Sequence, residues 1–154
     1  MKNYIDKSTR EIYAYESDGS QDDYIKEGLV PISDEDLAAM MAPTTEQILR
    51  QLTAERKEIE QQGVTINGIR YAGDPSNRHA LQEAIAFMDY AGRTEFESWK
   101  DSDNAFHADH PLVDVVHAYQ VIGSLRALLI AAEGEYAARI TGGTFTDLRL
   151  VAWP

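Results

Sequence analysis

An α+β fold is what this sequence predicts: short antiparallel β-hairpins packed on helices, closed by a long C-terminal helix. Three observations lead there. Asn67-Gly68 sits between two apolar-flanked segments as a hairpin turn, several stretches carry apolar residues at helical spacing, and no strand–helix–strand series of the kind that builds a parallel sheet is present. The 154 residues suit one domain, or one compact domain with a small N-terminal module. The pattern divides the chain into an N-terminal hairpin module with a short helix at 1–43, a connecting helix at 44–62 and a C-terminal α+β domain at 63–154.

Residues Asn3 to Tyr15 alternate around Tyr4, Ile12 and Tyr15, with a polar turn at Lys7 to Arg10, and predict two short strands. Asp18-Gly19-Ser20 supplies the turn that ends them. Ser33 followed three residues later by Asp36 resembles a capping box opening a helix through Met41, which Pro43 stops. From Thr45, TEQILRQLTAERKEIEQQ reads as a helix ended by Gly63, with Ile48, Leu49, Leu52 and Ile59 along one side. Leu49, Leu52, Arg56 and Ile59 have the spacing of a short coiled-coil seam; a surface helix packed on the domain or an exposed linker is the plainer reading.

In Val64 to Tyr71 a two-residue Asn-Gly loop sets Ile66 across from Ile69 and Val64 across from Tyr71, so four apolar side chains share one face. A lone hairpin is marginal in water, so that face must lie on something. The next helix, opened by Asp74 or Ser76 and running to about Asp89, offers a matching stripe of Leu81, Ala84, Ile85 and Met88. Glu95 to Lys100 and Ala105 to His107 predict a second hairpin across Asp101 to Asn104. Asp109 and Pro111 then open a helix reaching about Arg139, with Pro in the first turn and Gly142-Gly143 at the end. Its apolar residues cover more than one face, which makes it the hub of the C-terminal domain or also a contact with another subunit, giving a homo-oligomer through the long helix. Gly123 offers a close contact or a bend there, and Thr144 to Leu148 one more turn before the apolar end.

Asp and Glu number 26 against 14 Lys and Arg, a net charge of -12 with no basic run, which argues against a nucleic-acid partner. The acidity serves solubility or forms a face for a basic partner. The chain has no cysteine, which excludes disulfides, thiolate catalysis and cysteine-bound zinc. MKNYIDKSTR lacks the apolar stretch of a signal peptide, and the longest mostly apolar run, Ala127 to Ala132, is too short to span a bilayer, so a soluble cytoplasmic protein without a membrane partner is expected.

No catalytic constellation emerges, and the expectation is a non-enzymatic protein with no cofactor and no metal. His107, His110 and His117 cluster with acids, but His110 and His117 lie two helical turns apart, about 10 Å, too far to share one ion; surface histidines and a helix cap explain them more simply. Asp101-Ser102-Asp103-Asn104 begins like a calcium loop, yet Phe106 and Leu112 stand where glycine and a bidentate acid are required. Aromatic and turn residues are the better binding candidates: Tyr13, Tyr15, Asp18, Gln21, Tyr24, Trp99 and Trp153, each weighed against ordinary core packing.

Two stretches carry a family resemblance. Tyr13 to Gln21, continuing through Ile25 to Leu29 and the Ser33-Asp34-Glu35 helix start, resembles the N-terminal portion of the tail fibre assembly proteins of tailed bacteriophages and prophages. Gly63 to Trp153, with the Asn67-Gly68 hairpin and Trp99-Lys100, is similar to a domain of unknown function common in phage tail proteins. The resemblance implies a small chaperone that binds a tail fibre protein and promotes its folding or trimerisation in the host cytoplasm, sometimes staying in the virion tail. The alternative is a structural adaptor between tail baseplate and fibre.

Overall fold

Lys2–Ile5 (β1) and Ile12–Tyr15 (β2) pair as an antiparallel hairpin in the computed structural model, which describes residues 1–154. Val30–Ile32 (β3), which sequence reading missed, adds to the other side of β1 in the order β2-β1-β3. Its central Pro31 hides the strand from a pattern search and is tolerated because β3 is an edge strand. Asp34–Met41 (α1) follows, with Ser33 Oγ accepting from Asp36 N at 3.0 Å. Asn3 Nδ2 donates to Asp34 Oδ1 at 2.9 Å, and Lys2 Nζ pairs with Asp22 at 2.7 Å in a 3-10 turn at Asp22–Tyr24. These elements form one unit, Met1–Thr44, in which no residue is buried.

The second unit, Thr45–Pro154, is built on a 30-residue helix, Leu112–Thr141 (α4). By length and composition α4 could cross a membrane, yet here its Val115, Ala118, Ile122, Leu129 and Ile140 are core residues. Around it lie Thr45–Gln62 (α2), the hairpin Val64–Ile66 (β4) and Ile69–Tyr71 (β5), Pro75–Ala91 (α3), and the hairpin Glu95–Lys100 (β6) and Phe106–Pro111 (β7). The α+β fold is therefore observed, with three separate small antiparallel sheets across the two units.

The register of β4 and β5 sets Val64 opposite Tyr71 and Ile66 opposite Ile69. Asn67 (φ 50°) and Gly68 (φ 81°) have the paired positive φ of a type I′ turn. The face so formed packs with Leu81 and Ile85 of α3 and with Val115, Ala118 and Ile122 of α4. A second cluster forms lower on α4, where Ile140 meets Ile48 and Leu52 of α2. Helix α2 is thus part of the second unit rather than a connection at 44–62. Its buried row is Ile48, Leu52, Arg56 and Glu60, not the Leu49–Ile59 seam, because this i, i+4 row faces α4.

Four other expectations are corrected. The second hairpin runs past His107 to Pro111, with His110 opposite Phe96, and α4 starts one residue later; Leu112 N donates to Thr94 O at 2.9 Å. Asp109 is a strand residue in left-handed backbone (φ 51°) rather than a helix start. Gly123 makes no close contact, since open space surrounds the position of a Cβ. Beyond α4 a 3-10 turn forms at Leu148–Leu150, not Thr144 to Leu148, and Phe145, Leu148, Val151 and Trp153 fold back onto Ile48, Leu52 and Ile140.

Three helices converge on one carboxylate. Glu60 of α2 receives Arg56 from its own helix, Arg78 Nη1 of α3 at 2.9 Å and Arg126 Nε of α4 at 2.6 Å. Glu133 of α4 closes the cluster, with Oε2 2.5 Å from Arg56 Nε and Oε1 accepting from Thr53 Oγ1 at 2.6 Å. The Arg56–Glu133 contact is an ion pair by distance whose Nε–H is not aligned for a hydrogen bond. Beside the cluster the backbones touch: a Cβ on Gly73 would stand 2.1 Å from Glu60 O, and one on Gly63 (φ 71°) 1.9 Å from Tyr71 O.

Two stability predictions follow from these contacts, both read by urea denaturation. Gly63→Ala should cost at least about 3 kcal/mol, from positive φ and a backbone clash together, whereas Gly134→Ala, in open space on α4, should gain about 0.5–1 kcal/mol. Glu60→Gln should destabilise by about 3 kcal/mol, because it removes the carboxylate shared by Arg56, Arg78 and Arg126 and leaves buried Arg56 with Glu133 alone. A smaller loss than in an exposed-pair control such as Arg93→Ala would show that the convergence adds nothing.

Candidate functional site

Five of the seven sequence-predicted binding residues lie in the first unit. Side chains alternate across its sheet, so the register puts Lys2, Tyr4, Tyr13, Tyr15 and Pro31 on one face and Ile5, Ile12, Ala14, Val30 and Ile32 on the other. Tyr4 and Tyr15 meet edge-to-face with centroids 5.6 Å apart. Lys26 Nζ lies 4.6 Å above the Tyr13 ring, and Tyr13 O–H donates to Glu11 Oε2 at 2.7 Å, which raises the phenol pKa. Tyr24 projects from the 3-10 turn, 76% exposed.

Asp18 and Gln21 serve the loop between these aromatics. Asp18 Oδ1 accepts from Ser20 N (2.9 Å) and Ser20 Oγ (2.7 Å), and these bonds hold its carboxyl below the usual range. Gln21 Oε1 accepts from Glu16 N at 2.9 Å. The two residues thus shape the exit from β2. In the order β2-β1-β3, β2 has a neighbour on one side alone, and it carries no proline.

Trp99 and Trp153 do not join this surface. Trp99 packs against Phe96 (4.9 Å between centroids), His110 (5.6 Å, stacked) and Tyr71 (6.1 Å), and its Nε1 is buried without a hydrogen-bond partner. Trp153 covers the Ile48–Leu52–Ile140 cluster. Both are half-buried packing residues, because their strand or tail places them over an apolar cluster that pattern reading could not locate. The exposed aromatics of the second unit are Phe87, Tyr90 and Phe106. Phe87 and Tyr90 stand off the Leu81–Met88 stripe of α3, a signal that the sequence did contain.

His110 is neither a surface histidine nor a helix cap: it is 3% exposed, with Nε2 2.6 Å from the Tyr71 hydroxyl. Burial lowers the imidazole pKa, and burial with the charges of Asp114 and Asp101 pushes the Tyr71 phenol up to about 12. Both groups are therefore uncharged at neutral pH, and the pair is a buried hydrogen bond between hairpins rather than an activated nucleophile. His107 Nε2 lies 2.8 Å from Asp101 Oδ2, a contact that holds the Asp101 carboxyl below the usual range. The calcium-like loop is a clasp: Asp101 Oδ1 accepts from Asp103 N and Ala105 N, while Ser102 Oγ accepts from Ala72 N at 2.7 Å. No group of three or more His, Asp or Glu side chains converges as a metal site would require.

The His110 environment makes stability depend on pH. The unfolded chain binds the histidine proton with an ordinary pKa of about 6.5, above the folded value, so protonation favours unfolding. Stability should fall as pH drops below about 6.5 and level off below the folded pKa. The urea midpoint should therefore decline between about pH 7.5 and 5.5, and less steeply in His110→Gln. A His110 resonance titrating at or above the ordinary histidine pKa would contradict this.

No curated protein and no solved structure matches the chain. Residues 43–151, which are α2 through the tail that covers the second core cluster and make up more than half of the chain, match the family described as a domain of unknown function, DUF4376. The chain belongs to that family.

Proposed function

We propose that this protein is a non-enzymatic binding protein that assists assembly of a phage tail fibre, engaging the fibre chain through its first unit. The observation that carries the reading is that this unit buries none of its residues, yet holds a three-stranded sheet with Tyr4, Tyr13 and Tyr15 on one face and β2 as an open edge. A sheet without a core gains most from a partner that supplies one. An extended segment of an unassembled fibre chain can add beside β2, with main-chain hydrogen bonds for affinity and the tyrosines for packing. Fibre subunits expose strand edges and apolar faces before they trimerise, and cover by a soluble acidic partner keeps them from aggregating.

The resemblance of Tyr13 to Leu29 to tail fibre assembly proteins is the reason for choosing a fibre chain as the client, and the shape of the first unit supports a binding role without depending on it. The second unit, with its well-formed core, acts as the folded body that keeps the complex soluble.

The test is co-expression with a phage tail fibre chain. Soluble trimeric fibre and a co-purifying complex should both require the protein, and Tyr15→Ala should weaken capture at least tenfold while leaving the urea midpoint of the second unit unchanged. Equal fibre trimerisation without the protein, with nothing co-purifying, would overturn the reading. Complex formation that ignores Tyr15→Ala would remove β2 and its tyrosines from the interface.

A further inference from the structure

The ion-pair cluster around Glu60 carries more positive than negative charge. Arg56, Arg78 and Arg126 meet Glu60, Glu133 pairs with Arg56, and Lys57 and Asp74 line the same cavity of about 300 Å³. Four cations therefore stand against three carboxylates, on a chain of net charge -12. The excess is sharpest at one atom. Arg78 Nη1 and Arg126 Nε lie 2.9 and 2.6 Å from the same oxygen, Glu60 Oε1. Asp74 pairs with neither, because its oxygens accept from Ser76 and Asn77 as the cap of α3. Donors are left over as well. The Arg126 side chain is 45% exposed and reaches Glu60 as an ion pair by distance, with no N–H aligned for a hydrogen bond within the chain. Lys57 is exposed and has no ion pair.

We propose that this cavity binds a small phosphate-type oxyanion, free or carried by an ester, through Arg78 and Arg126 with Lys57 at the rim. Guanidinium groups present planar N–H forks that fit phosphate oxygens, and a lysine ammonium adds a point charge. The three cations come from three helices, α2, α3 and α4, so they reach the cavity from different sides. A tetrahedral anion has an oxygen for each of them, whereas a carboxylate offers two in one plane. Its charge also brings the cluster close to neutrality, which a partly buried group of like charges requires. The cavity is at the small end of the range for small-molecule sites. Arg78 and Arg126 line a second, more open cleft of about 460 Å³ beside Tyr119 and Gln120, which offers room for the organic part of an ester. A nucleic acid is the wrong source of phosphate, because its other phosphates would meet the acidic remainder of the chain.

Titration of the full-length chain with inorganic phosphate, followed by amide chemical shifts, tests the site at about 0.1 M ionic strength, where surface charge is screened beyond about 10 Å. Saturable shifts should appear around Lys57, Arg78 and Arg126, with a midpoint of about 1 mM or lower. Lys57→Glu should raise the midpoint at least tenfold. Arg126→Lys, which keeps a charge for Glu60 but removes the fork, should raise it too. Lys7→Glu makes the same change in net charge in the turn of the first hairpin, outside the cavity, and should leave the midpoint within twofold. Lys57 is exposed and unpaired, so Lys57→Glu keeps the test decisive if Arg126→Lys loosens the helices. Shifts that never saturate would overturn the proposal, as would equal losses in Lys57→Glu and Lys7→Glu. Succinate binding as tightly as phosphate would overturn the class of ligand. Ribose 5-phosphate binding at least tenfold tighter than phosphate, with shifts at Tyr119 and Gln120, would support an ester as the source; equal affinities would support the free ion. Failure here leaves the fibre-assembly reading untouched, because that reading rests on the first unit.

Discussion

The second unit depends on the meeting of three helices at Glu60. One carboxylate accepts arginines from α2, α3 and α4, and Glu133 returns a carboxylate from α4 to Arg56. A surface pair of this kind would contribute little, since water and salt screen it. Glu60, Arg56 and Glu133 are largely buried and cost several kcal/mol each to desolvate, so they are tolerated only with their partners in place, while Arg126 stays nearly half exposed at the rim. That requirement specifies how the helices pack. Apolar contacts at Leu52, Ile122 and Leu129 would accept small rotations of one helix against another, whereas a carboxylate shared by three guanidinium groups does not. The glycines at 63 and 73 belong to the same constraint, because they let backbone reach backbone where α2 gives way to the first hairpin.

Around this point the apolar core divides into two clusters along α4. The upper one joins both hairpins to α3 and α4, and the Tyr71–His110 hydrogen bond ties one hairpin to the other through it. The lower one joins α2 to the chain end, which returns through Phe145, Leu148 and Trp153. The buried polar groups, His110 beside the upper cluster and Arg56 and Glu60 between the helices, make the packing specific. They also make it sensitive to protonation, since the fold keeps His110 uncharged.

The two units solve opposite problems. The second buries its apolar surface against itself, apart from the outer face of α4. The first buries no residue fully, leaving its sheet side chains half-buried or exposed, and is held by side-chain bonds such as Lys2–Asp22, Asn3–Asp34 and the Asp18–Ser20 turn. Those bonds fix a shape but supply little stability of their own, which is the character of a segment that completes itself on a partner.

Much of the local chemistry was legible in the sequence. The Asn67-Gly68 hairpin with its register, the Ser33 cap, a cap at Asp74 or Ser76 that the structure assigns to Asp74, the glycine ends of α2 and α4 and the α+β class all follow from dihedral preference, short-range hydrogen bonding and apolar period, which act within a few residues. The candidate surface was half legible: Tyr13, Tyr15 and Tyr24 stand out by type and spacing, while β3, which widens their sheet, is masked by Pro31. Only the tertiary structure decided which aromatics are spent on packing, which row of α2 faces inward, that β7 runs on through a buried His110, and that Arg56, Arg78 and Arg126 share one acid. Each of these turns on residues brought together from distant segments, and the energy of such a contact depends on burial, which no local pattern encodes.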